Sequence, residues 1–261
     1  MSRWLQAAAL LALLAAAVLY GWRQPPGAAT GAISAVEIAG GDGGGLPRAT
    51  LAAEHVAASA LATAGALARE QGVGALLVAR HAHLIFEYYH TDAAASERVE
   101  GGALTETLRW LCDTATAADF ARCLSTQIWQ PLNAQAALLQ RGSLLARPVD
   151  WLRVGLLLLG DGRFEGAEIV PASRVASLHY LTAAAGAEAF ASRDLRYLAG
   201  PGRTRLWLVP SLALAVLQVA GSAGVNGWDE TQLPNLIIRA VEDRAPVTPG
   251  AALLNQLVPG H

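Results

Sequence analysis

The stretch WLRVGLLLLGDGRFEGAEIVP, residues 151–171, decides the fold. Pro148 stands just before it, and at the first turn of a helix its missing N–H is harmless. From there Trp151, Leu152, Gly155, Leu156 and Leu159 supply a buried face at helical spacing. Gly160 stops the helix. The four leucines are therefore the last turn of a buried helix, in a run too short to span a bilayer. GDGRFEG makes a tight turn, a short apolar return follows, and another helical segment begins near Ala172.

On the N-terminal side, an alanine-rich helix is predicted from about Leu51 to Glu70, ending near Gly72. VGALLVA (73–79) and LIFEYY (84–89) read as a strand pair turning at RHAH. Residues 91–101 are small and polar, so they read as irregular. Thr116 and Asp119 have the spacing of a capping box. Phe120, Leu124 and Ile128 then form one apolar stripe of a helix that Pro131 ends. On the C-terminal side, RLWLV (205–209) and LALAVLQVA (212–220) are predicted strands joined across Pro210-Ser211. Asp229 and Gln232 form a second possible capping box, before a helix with Leu233, Leu236, Ile237 and Val241 on one face. The order is helix, two strands, several helices, two strands, helix. It suits an α+β domain whose terminal helices pack on an antiparallel sheet.

Composition narrows the function classes. The chain has 261 residues, 53% apolar and only 15% charged, with a net charge of −2. Basic residues are scattered, which excludes a nucleic-acid surface. From Trp4 to Trp22 there is no charge, and these 19 residues of helix would reach about 28 Å. That suffices for a bilayer core, with aromatic residues at both ends as interface anchors. We favour a transmembrane anchor over residues 1–24; a signal peptide cleaved near Ala15-Ala16-Ala17 is the alternative. Either places the domain outside the cytoplasmic membrane, and the anchor makes it a single-pass inner-membrane protein. Residues 25–50, with GGDGGGLP at 40–47, read as a tether. The domain follows over 51–243, and 244–261 is a C-terminal tail. No phosphate-loop spacing accompanies the glycines.

Cys112 and Cys123 would lie about 16 Å apart on a continuous helix. Buried thiols are the favoured reading; a disulfide requires the chain to turn between them. His81 and His83 at a hairpin tip read as solvated and not as metal ligands. No cofactor and no metal site is expected.

Several segments together resemble the serine beta-lactamase-like hydrolases, the class C beta-lactamase and penicillin-binding esterase group. IWQPLNAQ (128–135) is similar to the family's proline-leucine element. GSLLARPVDWLRVGLLLLGDGRFEGAEIVPASRV (142–175) resembles its central block, with Asp150, Arg153, Gly155, Gly160, Gly162, Gly166 and Pro171 in step. GPGRTRLWLVPSLALAVLQVAG (200–221) resembles its late strand pair, and GWDETQLPNLIIRAV its closing helix. The resemblance covers about residues 65–243. It implies a beta-lactamase-like antiparallel sheet flanked by helices. It also implies acyl transfer through Ser-x-x-Lys, assisted by Tyr-x-Asn and a Lys/His-Thr/Ser-Gly element.

Those reactive residues are missing. The chain contains no lysine. GGALTETL (101–108) aligns Ala103 with the nucleophile and Glu106 with the lysine. Alanine has no lone pair with which to attack. About 20 residues separate Glu106 from IWQPLN, so the helical lobe is reduced, and no Tyr-x-Asn lies there. Asp150 and Arg153, three apart at a helix start, read as fold-locking. The expectation is a membrane-anchored, catalytically inactive accessory subunit that binds another membrane or periplasmic protein through exposed apolar surface. The alternative is a hydrolase with rearranged residues, drawn from Ser96, Ser125 or Ser143 as nucleophile. His90 or His179, or one of Glu87, Glu100 and Glu106, would serve as acid or base.

Overall fold

The computed structural model describes residues 35–181, 190–221 and 229–243. The chain enters at β1 (Val36–Ile38), followed by α1 (Ala58–Glu70) and the hairpin β2 (Ala75–Arg80) and β3 (His83–Tyr89). After β4 (Val99–Glu100) come α2 (Ala103–Cys112) and α3 (Ala117–Cys123). A second hairpin, β5 (Ala137–Gln140) and β6 (Ser143–Ala146), leads into α4 (Pro148–Leu159). The short pair β7 (Arg163–Phe164) and β8 (Ala167–Glu168) precedes α5 (Ala172–Ala176). The described part closes with β9 (Arg196–Ala199), β10 (Arg205–Val209), β11 (Leu214–Val219) and α6 (Gln232–Ala240).

Five strands form one antiparallel sheet in the order β3-β2-β11-β10-β9. It is covered on both faces. Leu76, Val78, Trp207 and Val216 pack with Leu61 and Ala64 of α1 and Leu233 and Ile237 of α6. Ala75, Leu77, Leu206, Leu208 and Leu217 pack on the other side with α4. All six residues of β2 and of β11 are buried, so these strands show an apolar run instead of alternation. Each large apolar side chain buried this way contributes about 1.5–3 kcal/mol.

Helix α4 is buried almost all round, not along one face: Trp151, Leu152, Val154, Leu157 and Leu158 are all fully inside. Gly155 allows its close approach to the sheet, because a Cβ there would lie 2.8 Å from Leu206 Cδ1. The helix ends as the sequence suggested. Gly162, at φ +89°, donates its N–H to Leu157 O, and Glu165-Gly166, both at positive φ, turn β7 into β8.

The glycine-rich stretch read as a tether is fastened to the domain. β1 pairs with β5 in a four-stranded sheet, β1-β5-β6-β4. Gly41 N–H donates to Ala134 O. The Gly43 and Gly44 carbonyls accept from Arg147 and Arg153, and these arginines share the buried Asp150 carboxylate. Burial pulls the Arg153 guanidinium down from its usual range, and the adjacent Asp150 charge opposes that.

Other expectations need correction. The first helix starts at Ala58, not Leu51. Upstream, the Glu54 side chain is drawn inward to His81 Nδ1 at 2.6 Å and His83 Nδ1 at 3.0 Å, so these histidines hold a buried carboxylate. Thr116 does cap α3, but Leu124–Trp129 continues as a π-helical turn. Asp229 accepts from Thr231 N–H and not in a reciprocal box with Gln232. Cys112 and Cys123 form a disulfide with Cα atoms 5.9 Å apart. The assumption of a continuous helix failed, because Asp113, at φ +50°, turns the chain back.

Among the described residues no helix is long and apolar enough to cross a membrane. The anchor or signal peptide over 1–24 lies outside the described residues, as does the tail 244–261. The described fold therefore contains no transmembrane helix. Nothing in the described residues carries the single-pass inner-membrane location or the membrane-borne role.

Two measurements check this core. Trp151→Ala should destabilise the domain by about 3–5 kcal/mol, since the indole is fully buried and its Nε1 donates to Val99 O. An unchanged denaturation curve would remove α4 from the core. Reduction of the disulfide should cost about 2–3 kcal/mol of stability, because it closes a short loop. Equal melting temperatures with and without reductant would contradict that.

Candidate functional site

The cleft that matters lies between the start of α2 and the end of β9, the last strand of the five-stranded sheet, whose Tyr197 exchanges backbone hydrogen bonds with Leu181. Glycines let the two backbones meet. A Cβ on Gly102 would lie 2.8 Å from Pro201 Cδ. A Cβ on Gly101 would run into the Trp151 indole, so α4 supports the approach to α2 from below. The β5–β6 hairpin adds further support. Thr105 Oγ1, fully buried, accepts Leu144 N–H at 3.0 Å, and Ser143 Oγ accepts Gly102 N–H at 3.4 Å.

α2 offers the cleft Ala103, Glu106, Thr107 and Trp110, one face at spacings of three and four. β9 contributes Leu198 and Ala199 from across the cleft, and Leu178, His179 and Leu181 close the side. The cavity measures about 310 Å³, within the range of small-ligand sites. Its walls are mainly apolar. The Thr107 hydroxyl is used internally, donating to Ala103 O at 3.1 Å.

Ala103 and Glu106 thus do line a cleft, at the N-terminal turn of its principal helix. The structure brings His179 to the same cleft. It does not bring the other candidates. Ser143 Oγ is engaged at the Gly102 amide, Ser125 Oγ accepts Ala39 N–H, and Ser96 Oγ donates to Ala93 O. Glu87 pairs with Arg48 on β3, at the opposite edge of the sheet, where His90 also follows. Glu100 is exposed on β4. The phenol beside the cleft, Tyr180, is pushed up by burial, with the Arg196 guanidinium opposing, so it is a poor source of phenolate base. Among the described residues no group of three or more His, Cys, Asp and Glu is placed to hold a metal ion.

Trp110, Leu181 and Leu198 escaped the sequence reading. The position of Trp110, seven after Ala103 on the same helix, was the available signal. The broad apolar face expected for a membrane or periplasmic partner is also corrected. Among the described residues the large apolar side chains left well exposed are Val36, Trp110 and Leu181, and the last two belong to this cleft.

No family model matches the chain, and no curated protein matches it. Solved structures do. One is "Putative 6-aminohexanoate-dimer hydrolase from Bacillus anthracis", with a TM-score of 0.56 and 12% identity over 74% of this chain and 87% of that one. Another is a "putative beta-lactamase from Bacteroides dorei DSM 17855", with a TM-score of 0.50 and 8% identity over 70% of this chain and 98% of that one. At such identities the likeness concerns the fold alone: the chain has a distant, partial structural similarity to proteins of the beta-lactamase-like fold.

Proposed function

We propose that this chain is a shortened, non-acylating relative of the beta-lactamase-like hydrolases that binds a small, largely apolar ligand in the α2–β9 cleft without turning it over. The observation that carries this reading is the composition of the cleft. Ala103 and Glu106, which the resemblance aligns with the nucleophile and its lysine, line one wall, and Leu198-Ala199 line the sheet edge opposite. Acyl transfer needs a nucleophile with a base in hydrogen-bond reach. Among the described residues that line the cleft, the one hydroxyl is Thr107, and it is already committed to a backbone carbonyl. What remains is a concave apolar surface with two polar groups at its margin, which suits retention of a ligand better than reaction.

A fluorescent penicillin and a fluorophosphonate should both leave the protein unlabelled, as judged by intact mass. The neutral probe N-phenyl-1-naphthylamine should bind reversibly, and Ala103→Trp should weaken that binding at least about tenfold by filling the cavity. A stoichiometric adduct on a serine would overturn the non-acylating reading. Probe binding indifferent to Ala103→Trp would overturn the assignment of the cleft.

A further inference from the structure

We propose that the Cys112–Cys123 disulfide is a redox control on this cleft: its reduction by a dithiol frees the last turn of α2 and weakens the hold on the ligand. The inference rests on the ligand-binding reading above. Cys112 is the last residue of α2, the helix that supplies Ala103, Glu106, Thr107 and Trp110 to the cleft. Trp110 stands two residues before it, within the same turn. The two ends of this helix are held differently. At its start the Trp151 indole lies beneath Gly101, Leu104 is fully buried, and Thr105 Oγ1 accepts Leu144 N–H at 3.0 Å. At its end the Trp110 side chain is 53% exposed. Its Nε1 donates to Ser177 Oγ at 3.3 Å, and its carbonyl accepts from Arg174 at 3.5 Å. Both contacts are long and lie at the surface, so the covalent bond to α3 is the firmest hold on the Trp110 wall. Leu108 and Leu111 stay in the core, so reduction leaves the helix docked and frees its exposed side.

The bond can be reached from solvent. Cys112 is partly buried and Cys123 buried, and both line an open hollow of about 450 Å³ with Asp113, Thr114 and Arg122. Thr114 Oγ1, in the turn between the two cysteines, is buried without a hydrogen-bond partner. That turn therefore leans on the disulfide more than on polar contacts of its own. In the exchange, one thiolate of the dithiol attacks Cys112 Sγ, the bond to Cys123 breaks, and Cys123 leaves as a thiolate that takes up a proton. The second thiol then attacks the mixed disulfide, gives its proton to the departing Cys112 thiolate, and closes the reagent into a cyclic disulfide. The dithiol is oxidised by two electrons and the protein disulfide is reduced by the same two.

The test titrates N-phenyl-1-naphthylamine into the full chain before and after treatment with dithiothreitol. Intact mass records the reduction, and near-ultraviolet circular dichroism records the fold. Affinity should fall about fivefold on reduction, the cost of ordering one freed aromatic side chain, and return on reoxidation. The double variant Cys112→Ser, Cys123→Ser should bind as the reduced protein does and ignore the reagent. Trp110→Ala should bind more weakly and lose nothing further on reduction, because the wall that the bond positions is already gone. Equal affinity in the two states, a bond that the reagent leaves intact in the folded protein, or unfolding on reduction would overturn the redox inference and leave the cleft standing. Failure of the oxidised protein to bind the probe would overturn both.

Discussion

A carboxylate with no access to water must have its charge answered inside the protein, and Asp150 is such a group. Arg153 and Arg147 answer it, and Gln135 N–H adds a third donor at 3.3 Å. Each arginine then reaches a glycine carbonyl more than a hundred residues earlier in the chain. One ionic cluster therefore ties the buried helix, the smaller sheet and the incoming strap into a single unit. Its worth lies in the cost of breaking it, since loss of any one member leaves another buried and unpaired. The next residue, Trp151, carries the consequence to the cleft, because its indole is the floor on which Gly101 and the start of α2 rest.

On the proposed reading, the scaffold supports binding and not acyl transfer. The resemblance would place a nucleophile where the start of α2 and the sheet edge converge. Here the same convergence brings together Ala103, Leu198 and Ala199. Rigid support below an apolar cleft serves retention of a ligand as well as it would serve catalysis, since pre-formed walls reduce the ordering cost of binding. The disulfide at the far end of α2 holds the same helix against α3. The cleft-lining face is accordingly fixed at both ends.

What the sequence disclosed depended on the range of the interaction involved. Helix α4 and the strands β2, β10 and β11 were legible because full burial writes itself as an apolar run. Ala103 and Glu106 were singled out through resemblance alone, and both lie on the cleft wall. The glycine stretch looked like a linker because its partners, Arg147 and Arg153, lie far along the chain. The β5–β6 hairpin went unseen since its turn, Arg141-Gly142, carries only one glycine to mark two residues at positive φ. Similarly, nothing local to Glu54 shows that two histidines of a distant hairpin will draw it inward and delay the first helix. Trp110 and Leu181 carry no motif; only tertiary packing makes them neighbours.

The central claim is that α2 and β9 form a reversible binding site with no acylating group. Methyl-resolved NMR during titration with 1-hexanol tests it most directly. The account predicts shifts concentrated on Ala103, Ala199, Leu178, Leu181 and Leu198 that return to their starting positions when the alcohol is removed. Shifts dispersed over the remaining core methyls, with those five unmoved, would contradict it.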